Sequence, residues 1–148
     1  MKREIKFRGK VTKTKQWVYG DLLHVGNGCI ITTNSELGET LPDGDIGLAY
    51  SLDEFAVVIP ETVGQFTGLL DKNGKEIYEG DIIRSYDSEN NPITHSISWD
   101  NKKACYVATM LQYPLLGGSI DKGWIDEFEK EVIGNIFDNP ELLKGGAE

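Results

Sequence analysis

A chain of 148 residues, 39% hydrophobic and 26% charged, has the make-up of one globular domain or two small lobes sharing a core, which excludes a disordered or low-complexity protein. Its formal charge of −9 speaks against adhesion of the whole surface to nucleic acid or membrane. That average conceals a split: residues 1–18 carry seven Lys or Arg and one acid, and the other 130 residues carry eight bases and twenty-three acids.

The first ten residues alternate. Lys2, Glu4, Lys6, Arg8 and Lys10 hold the even positions and Ile5, Phe7 and Val11 the odd ones, which predicts a half-buried strand with a basic outer face. A polar turn from Thr12 to Gln16 leads to a second strand, Trp17 to Leu23, and Gly26-Asn27-Gly28 supplies a hairpin turn with positive φ before a third strand, Cys29 to Thr33. Residues 34–54 are acidic and turn-rich, and read as a long loop or loose hairpin. Phe55 to Ile59 is a short apolar run suited to a buried strand that Pro60 should end.

Asn73-Gly74 lies between Leu69-Leu70 and Ile77-Tyr78, the pattern of a hairpin whose type I′ turn needs positive φ at both central positions. Ile93, His95, Ile97 and Trp99 alternate with Thr94, Ser96 and Ser98 in another strand, and Ala104 to Leu111 returns beside it. Residues 121–129 fit a turn or short helix capped by Asp121, followed by a strand from Val132 to Phe137. Asn139 and Pro140 form an N-cap and N1 pair, so Pro140 to Leu143 should make one helical turn that packs Leu142 and Leu143. The sum is about nine or ten short strands with little helix, an all-β barrel or a two-lobed β architecture.

Several blocks of this chain resemble the YopX proteins of bacterial prophages and phages. They are the head Arg3-Glu4-Ile5-Lys6-Phe7-Arg8-Gly9-Lys10, then Trp17-Val18-Tyr19-Gly20, the centre Val58 to Leu69 with Asp71 to Ile82, and the tail Val132 to Leu143. The blocks keep the family's order from end to end, and the chain goes its own way in the loops 34–54 and 86–131. The resemblance implies a mainly β fold with an SH3-like β-barrel and a place in the bacterial cytoplasm. It divides the chain into an N-terminal β-subdomain, 1–60, and an SH3-like lobe, 61–148, or one continuous domain. It brings no catalytic residues with it.

The residues themselves offer little chemistry. Asp71, Glu76, Glu79 and Asp81 form an acidic cluster, but Gly74 and Lys75 break the spacing of a Ca²⁺ loop, so polar hairpin ends are the plainer reading beside a divalent-ion hydrolase site at Asp71 and Asp81. His24 and His95 stand alone; His95 shares a strand face with Ile97 and Trp99, the setting of a hydrogen-bonded core histidine. Cys29 and Cys105 have no CxxC and no histidine at ligand spacing, and read as free thiols of an intracellular protein. Gly26-Asn27-Gly28 and Gly117-Gly118-Ser119 lack the following helix of a phosphate loop and read as turns. No run of the chain suits a signal peptide or membrane span.

Binding is better supplied. Lys6, Arg8 and Lys10 would project from one strand face at about 6–7 Å intervals, with Trp17 and Tyr19 near in sequence to stack. Such a row fits a phosphate backbone, or acidic surface of this chain or of a second copy. The expectation is therefore a non-catalytic, cytoplasmic binding protein without cofactor or metal. It self-associates and takes a host or phage protein; a nucleic-acid partner at Lys6, Arg8, Lys10, Trp17 and Tyr19 is the alternative.

Overall fold

The structure, a computed structural model, describes residues 3–33, 38–40, 46–48 and 55–144. These fall into two compact units, Met1–Gln65 and Phe66–Glu148. Both are built from antiparallel strands, so the fold is mainly β, with one short α-helix among the described residues.

In the first unit, β1 (Phe7–Lys10), β2 (Trp17–Val25), β3 (Gly28–Thr32), β4 (Gly38–Thr40), β5 (Ile46–Leu48) and β6 (Phe55–Val58) precede β7 (Gly64–Leu70), whose first residues pair with β1. The main sheet runs β6-β3-β2-β1-β7, and β4 pairs with β5 as a separate hairpin; the rest of the acidic loop lies outside the described residues. Opposed residues in an antiparallel ladder share a face. Phe7↔Gly20, Gly9↔Val18, Leu22↔Ile31 and Cys29↔Val58 therefore define the inner side. Ile31, Val58 and Cys29 are buried there against Phe7, Val18, Leu22 and Val63.

This sheet curls. Val11 bridges Val58, Ile59 N–H donates to the Lys10 carbonyl (2.8 Å), and Thr12 N–H donates to the Val57 carbonyl (3.0 Å). Gly9 makes the curl possible, since a Cβ there would stand 3.1 Å from the Cβ of Val58 and 3.2 Å from Cδ1 of Ile31. Pro60 ends β6 as expected and opens a 3₁₀ turn, where Thr62 Oγ1 accepts from Lys10 N–H (2.9 Å) and donates to the Ile59 carbonyl (2.7 Å). One bridge is not a ladder, and among the described residues neither sheet closes into a barrel.

In the second unit, β8 (Glu76–Tyr78), β9 (Asp81–Tyr86), β10 (Pro92–Asp100), β11 (Cys105–Met110) and β12 (Gly117–Ser119) lead to α1 (Lys122–Asp126) and β13 (Glu131–Asn135). The sheet order is β12-β11-β10-β9-β13. The register His95↔Ile83↔Val132 and Ile97↔Ala108 puts one apolar face inward, and Ile77, Ile83, Ile97, Ala108, Ile125 and Val132 form its core with Leu69, Ile120 and Trp124. Each fully buried Ile or Val side chain there contributes about 1.5–3 kcal/mol relative to exposure. Asp121 caps α1 by accepting from Trp124 N–H (2.8 Å), as its position in the sequence predicts.

Several local expectations are corrected. β1 starts only at Phe7, and Gly117-Gly118-Ser119 is a strand rather than a turn. The Asn73-Gly74 reversal is not type I′: Gly74 has φ +79° while Asn73 stays at negative φ. Asp71 Oδ1 accepts from the N–H groups of Asn73 (2.8 Å) and Lys75 (2.9 Å), which shapes an ordinary turn that Gly74 then leaves through the left-handed region. Pro140–Leu143 does form one 3₁₀ turn, but Asn139 does not cap it; its Oδ1 accepts from Asn135 N–H (3.2 Å). Leu143 is left 41% exposed.

Candidate binding face

The outer face of the first sheet holds the residues that sequence reasoning singles out. Arg8↔Tyr19 and Lys10↔Trp17 are opposed pairs, so all four share one face. The Arg8 guanidinium carbon lies 4.6 Å above the Trp17 ring and Lys10 Nζ 5.6 Å from its centroid. Both are within cation–π range. Lys6 precedes the strand and pairs with Glu4 at 3.1 Å.

One expectation fails on this face. Arg8 is only 5% exposed, so it is no member of a solvent-facing basic row. The reason is the aromatic partner: Trp17 and Arg8 are diagonal neighbours on the ladder, and a guanidinium is weakly hydrated and stacks on indole at little desolvation cost. Exposed cations lie instead at Arg3, ahead of β1, and in the turn after it, where Lys13 and Lys15 are exposed, Lys15 at φ +61° with its ammonium on the Thr12 carbonyl (2.8 Å).

The same face continues into an apolar row that sequence reasoning missed. Leu23↔Ile30↔Val57 are opposed across three strands, with Val25 and Tyr19 on the same side of β2. Tyr19 is 45% exposed, Leu23 44%, Val25 59% and Val57 60%. The signal was present in the odd positions of β2, but a strand with apolar residues at both parities does not reveal which side faces water.

The second unit holds the remaining chemical candidates, each engaged locally. Asp71 Oδ2 accepts from Val132 N–H (2.9 Å), so this buried carboxylate ties the hairpin turn to β13; a metal ion there would displace three N–H donors. Asp81 Oδ2 accepts from Tyr78 N–H (2.8 Å). Among the described residues, no group of three or more His, Cys, Asp or Glu is arranged to hold a metal ion. Cys29 is buried, Cys105 half-buried, and neither is bonded.

His95 lies on the core face with Ile97, as its spacing predicts, and its ring meets Trp124 edge-on at 5.3 Å. It is not the hydrogen-bonded core histidine expected, because Nδ1 is buried without a partner among the described residues. Burial, with Lys130 adding positive potential, pushes its pKa down to about 4. Lys130 is itself only 3% exposed; its ammonium donates to the Glu127 carbonyl (2.6 Å) and sits 4.5 Å over Trp124, and burial lowers its pKa. The turn that delivers it holds Phe128 and Glu129 at φ +57° and +46°. Strain of this kind, about 1–3 kcal/mol per residue, persists only where surrounding contacts fix it.

A mainly β chain in two antiparallel units, with a mixed aromatic, cationic and apolar sheet face and no helix among the described residues long and apolar enough to cross a membrane, is the class these features define. The family model described as YopX protein matches residues 6–144, and the chain belongs to the YopX family. Among solved structures it is similar to protein EF1440 from Enterococcus faecalis, at 26% identity and a TM-score of 0.58, over 96% of this chain and 99% of that one. No curated protein matches it.

Proposed function

We propose that this YopX chain is a non-catalytic phage or prophage accessory protein of the bacterial cytoplasm, a self-associating binding protein whose partner is a protein docked on the outer face of the first sheet. The observation that carries this reading is the continuous face itself. Four large side chains, Tyr19, Leu23, Val25 and Val57, are each more than two-fifths exposed on one side of one sheet, beside Lys10 and Trp17. Contiguous exposed apolar surface rimmed by polar groups marks interaction sites, and aromatic residues with Arg are the groups enriched at interface centres.

Val57→Lys and Leu23→Lys, which put charge into the row without touching the inner core, test it. Protein captured from a bacterial host lysate by the wild-type chain should be lost with both variants at unchanged melting temperature. Identical capture by wild type and variants, or none by the wild type, refutes the docking face.

A nucleic-acid partner is the second reading, supported by the exposed Lys13 and Lys15 beside Lys10, Trp17 and Tyr19. It requires affinity that falls with salt at a log–log slope of about −3 for three phosphate contacts. Absence of salt-sensitive binding to DNA and RNA removes it.

A further inference from the structure

The five-stranded sheet of the second unit has two edges, and they are finished differently. At β13 the edge is closed by the hairpin turn: Lys72 N–H donates to the Lys130 carbonyl (3.0 Å) and Val132 N–H to the Asp71 carboxylate (2.9 Å). At β12 nothing comparable occurs. Met110 N–H bonds the Leu116 carbonyl and Ile120 N–H the Tyr106 carbonyl, so even-numbered residues of this stretch face β11. The backbone groups of Gly117 and Ser119 therefore point away from the sheet, both residues are exposed, and neither has a hydrogen-bond partner on that side among the described residues. An unguarded edge of this kind is a template for another strand. β12 is short, at three residues, but it carries no Lys, no Pro and no bulge, and the loop before it exposes Tyr113, Leu115 and Leu116 at 64%, 100% and 55%.

We infer that this edge pairs with β12 of a second copy, antiparallel about a twofold axis through Gly118. This rests on the self-association in the proposed function and names its surface. The register is self-complementary. With Gly118 on the axis, Gly117 of one copy exchanges both backbone hydrogen bonds with Ser119 of the other, and the reverse, which satisfies all the outward groups. Gly118 then faces Gly118 in the closely spaced, non-hydrogen-bonded position, where Cα atoms approach to about 4.5 Å. A Cβ at Gly118 would meet nothing within 4 Å inside the chain, so that side is open.

The side chains agree with the backbone. On the same face as Gly118, half-exposed Leu116 falls opposite Ile120 of the second copy, twice by symmetry, and Ile120 already packs on the core cluster of its own unit. On the other face Leu115 falls opposite Asp121, so no like charges meet despite the acidity of the chain. A twofold contact uses up the edge and closes the assembly at two, whereas an unpaired edge invites open-ended addition.

Two variants test the register. Ser119→Pro removes an outward N–H that makes no bond to β11, so the fold is kept while pairing is lost. In sedimentation across a concentration series the wild type should dimerise and S119P remain monomeric, with the two melting together at concentrations where the wild type is also monomeric. In a Cys105→Ser background, Gly118→Cys should yield a dimer on denaturing gels that reductant dissolves, since a Cα separation near the axis of about 4.5 Å falls within disulfide range. A wild-type chain that stays monomeric overturns self-association and this inference together. A dimer that survives Ser119→Pro, with no cross-link from G118C, overturns the β12 pairing alone and leaves the proposed function standing.

Discussion

Acid should destabilise this protein through His95. The imidazole is neutral in the fold, with a pKa of about 4, against an ordinary value of 6.5. The unfolded chain therefore takes up a proton that the folded chain refuses, and stability complete above pH 6.5 is lost progressively as pH falls toward 4. Linkage gives a loss of about 2 kcal/mol between pH 7.5 and 5, approaching about 3 kcal/mol below pH 4. The physical source is the pairing of burial with Lys130 beside a ring whose Nδ1 has no acceptor to favour the charged form. Urea unfolding at intervals from pH 7.5 to 5 measures the slope. Asp87 and Asp100, held below the usual carboxylate range by N–H donors from Asn91 and from Lys103 and Lys102, stay ionised in this window. His95→Leu, close in volume and without the orphan nitrogen, should flatten the profile and leave stability at pH 7.5 within about 1 kcal/mol. An equal slope in wild type and H95L, or an NMR titration of His95 near 6.5, would refute the reasoning.

Two substitutions probe the local reading of the other groups. Asp71→Ala strands three backbone donors, one of them the buried N–H of Val132, and should cost about 2–4 kcal/mol in chemical denaturation, with Asp71→Asn costing about half. A loss under about 1 kcal/mol would mean the turn is held by other contacts. Arg8→Ala should destabilise by about 2 kcal/mol and Lys10→Ala by less than about 1, because Arg8 is buried on Trp17 and Lys10 only half-buried. Equal costs in thermal melts would restore the view of one uniform basic row.

Strands and turns were legible wherever one local cause sufficed. Pro60 stops β6 because it has no N–H, and Asp121 caps α1 because its oxygen reaches Trp124 N–H. The errors arise where a distant group decides. The type I′ reading of Asn73-Gly74 ignored Asp71, whose carboxylate is shared between the turn and β13, a partner 61 residues on. Gly117-Gly118-Ser119 has turn composition, yet it is a strand because a Cβ at Gly117 would reach to 2.3 Å of the Ala108 carbonyl oxygen; glycine is there for close approach to β11. Of the five residues of the expected binding face, Arg8, Lys10, Trp17 and Tyr19 are brought to one side by the β1–β2 register and Lys6 lies before the strand; their burial was not readable, because alternation tells which residues share a face and not what covers it.

The split charge resolves in the same terms. The net positive opening of the chain suggests a surface held out to an acidic partner, yet four of its seven cations are engaged at short range: Arg8 and Lys10 on Trp17, Lys6 on Glu4, Lys15 on the Thr12 carbonyl. A carbonyl, a ring face and one carboxylate absorb most of the row without help from the acidic remainder. On the proposed docking face, charge would then form the rim, while the exposed Leu23 and Val57 would supply the area. Salt should accordingly change how fast a partner arrives more than how long it stays, since rim charges steer encounter and buried apolar anchors set dissociation.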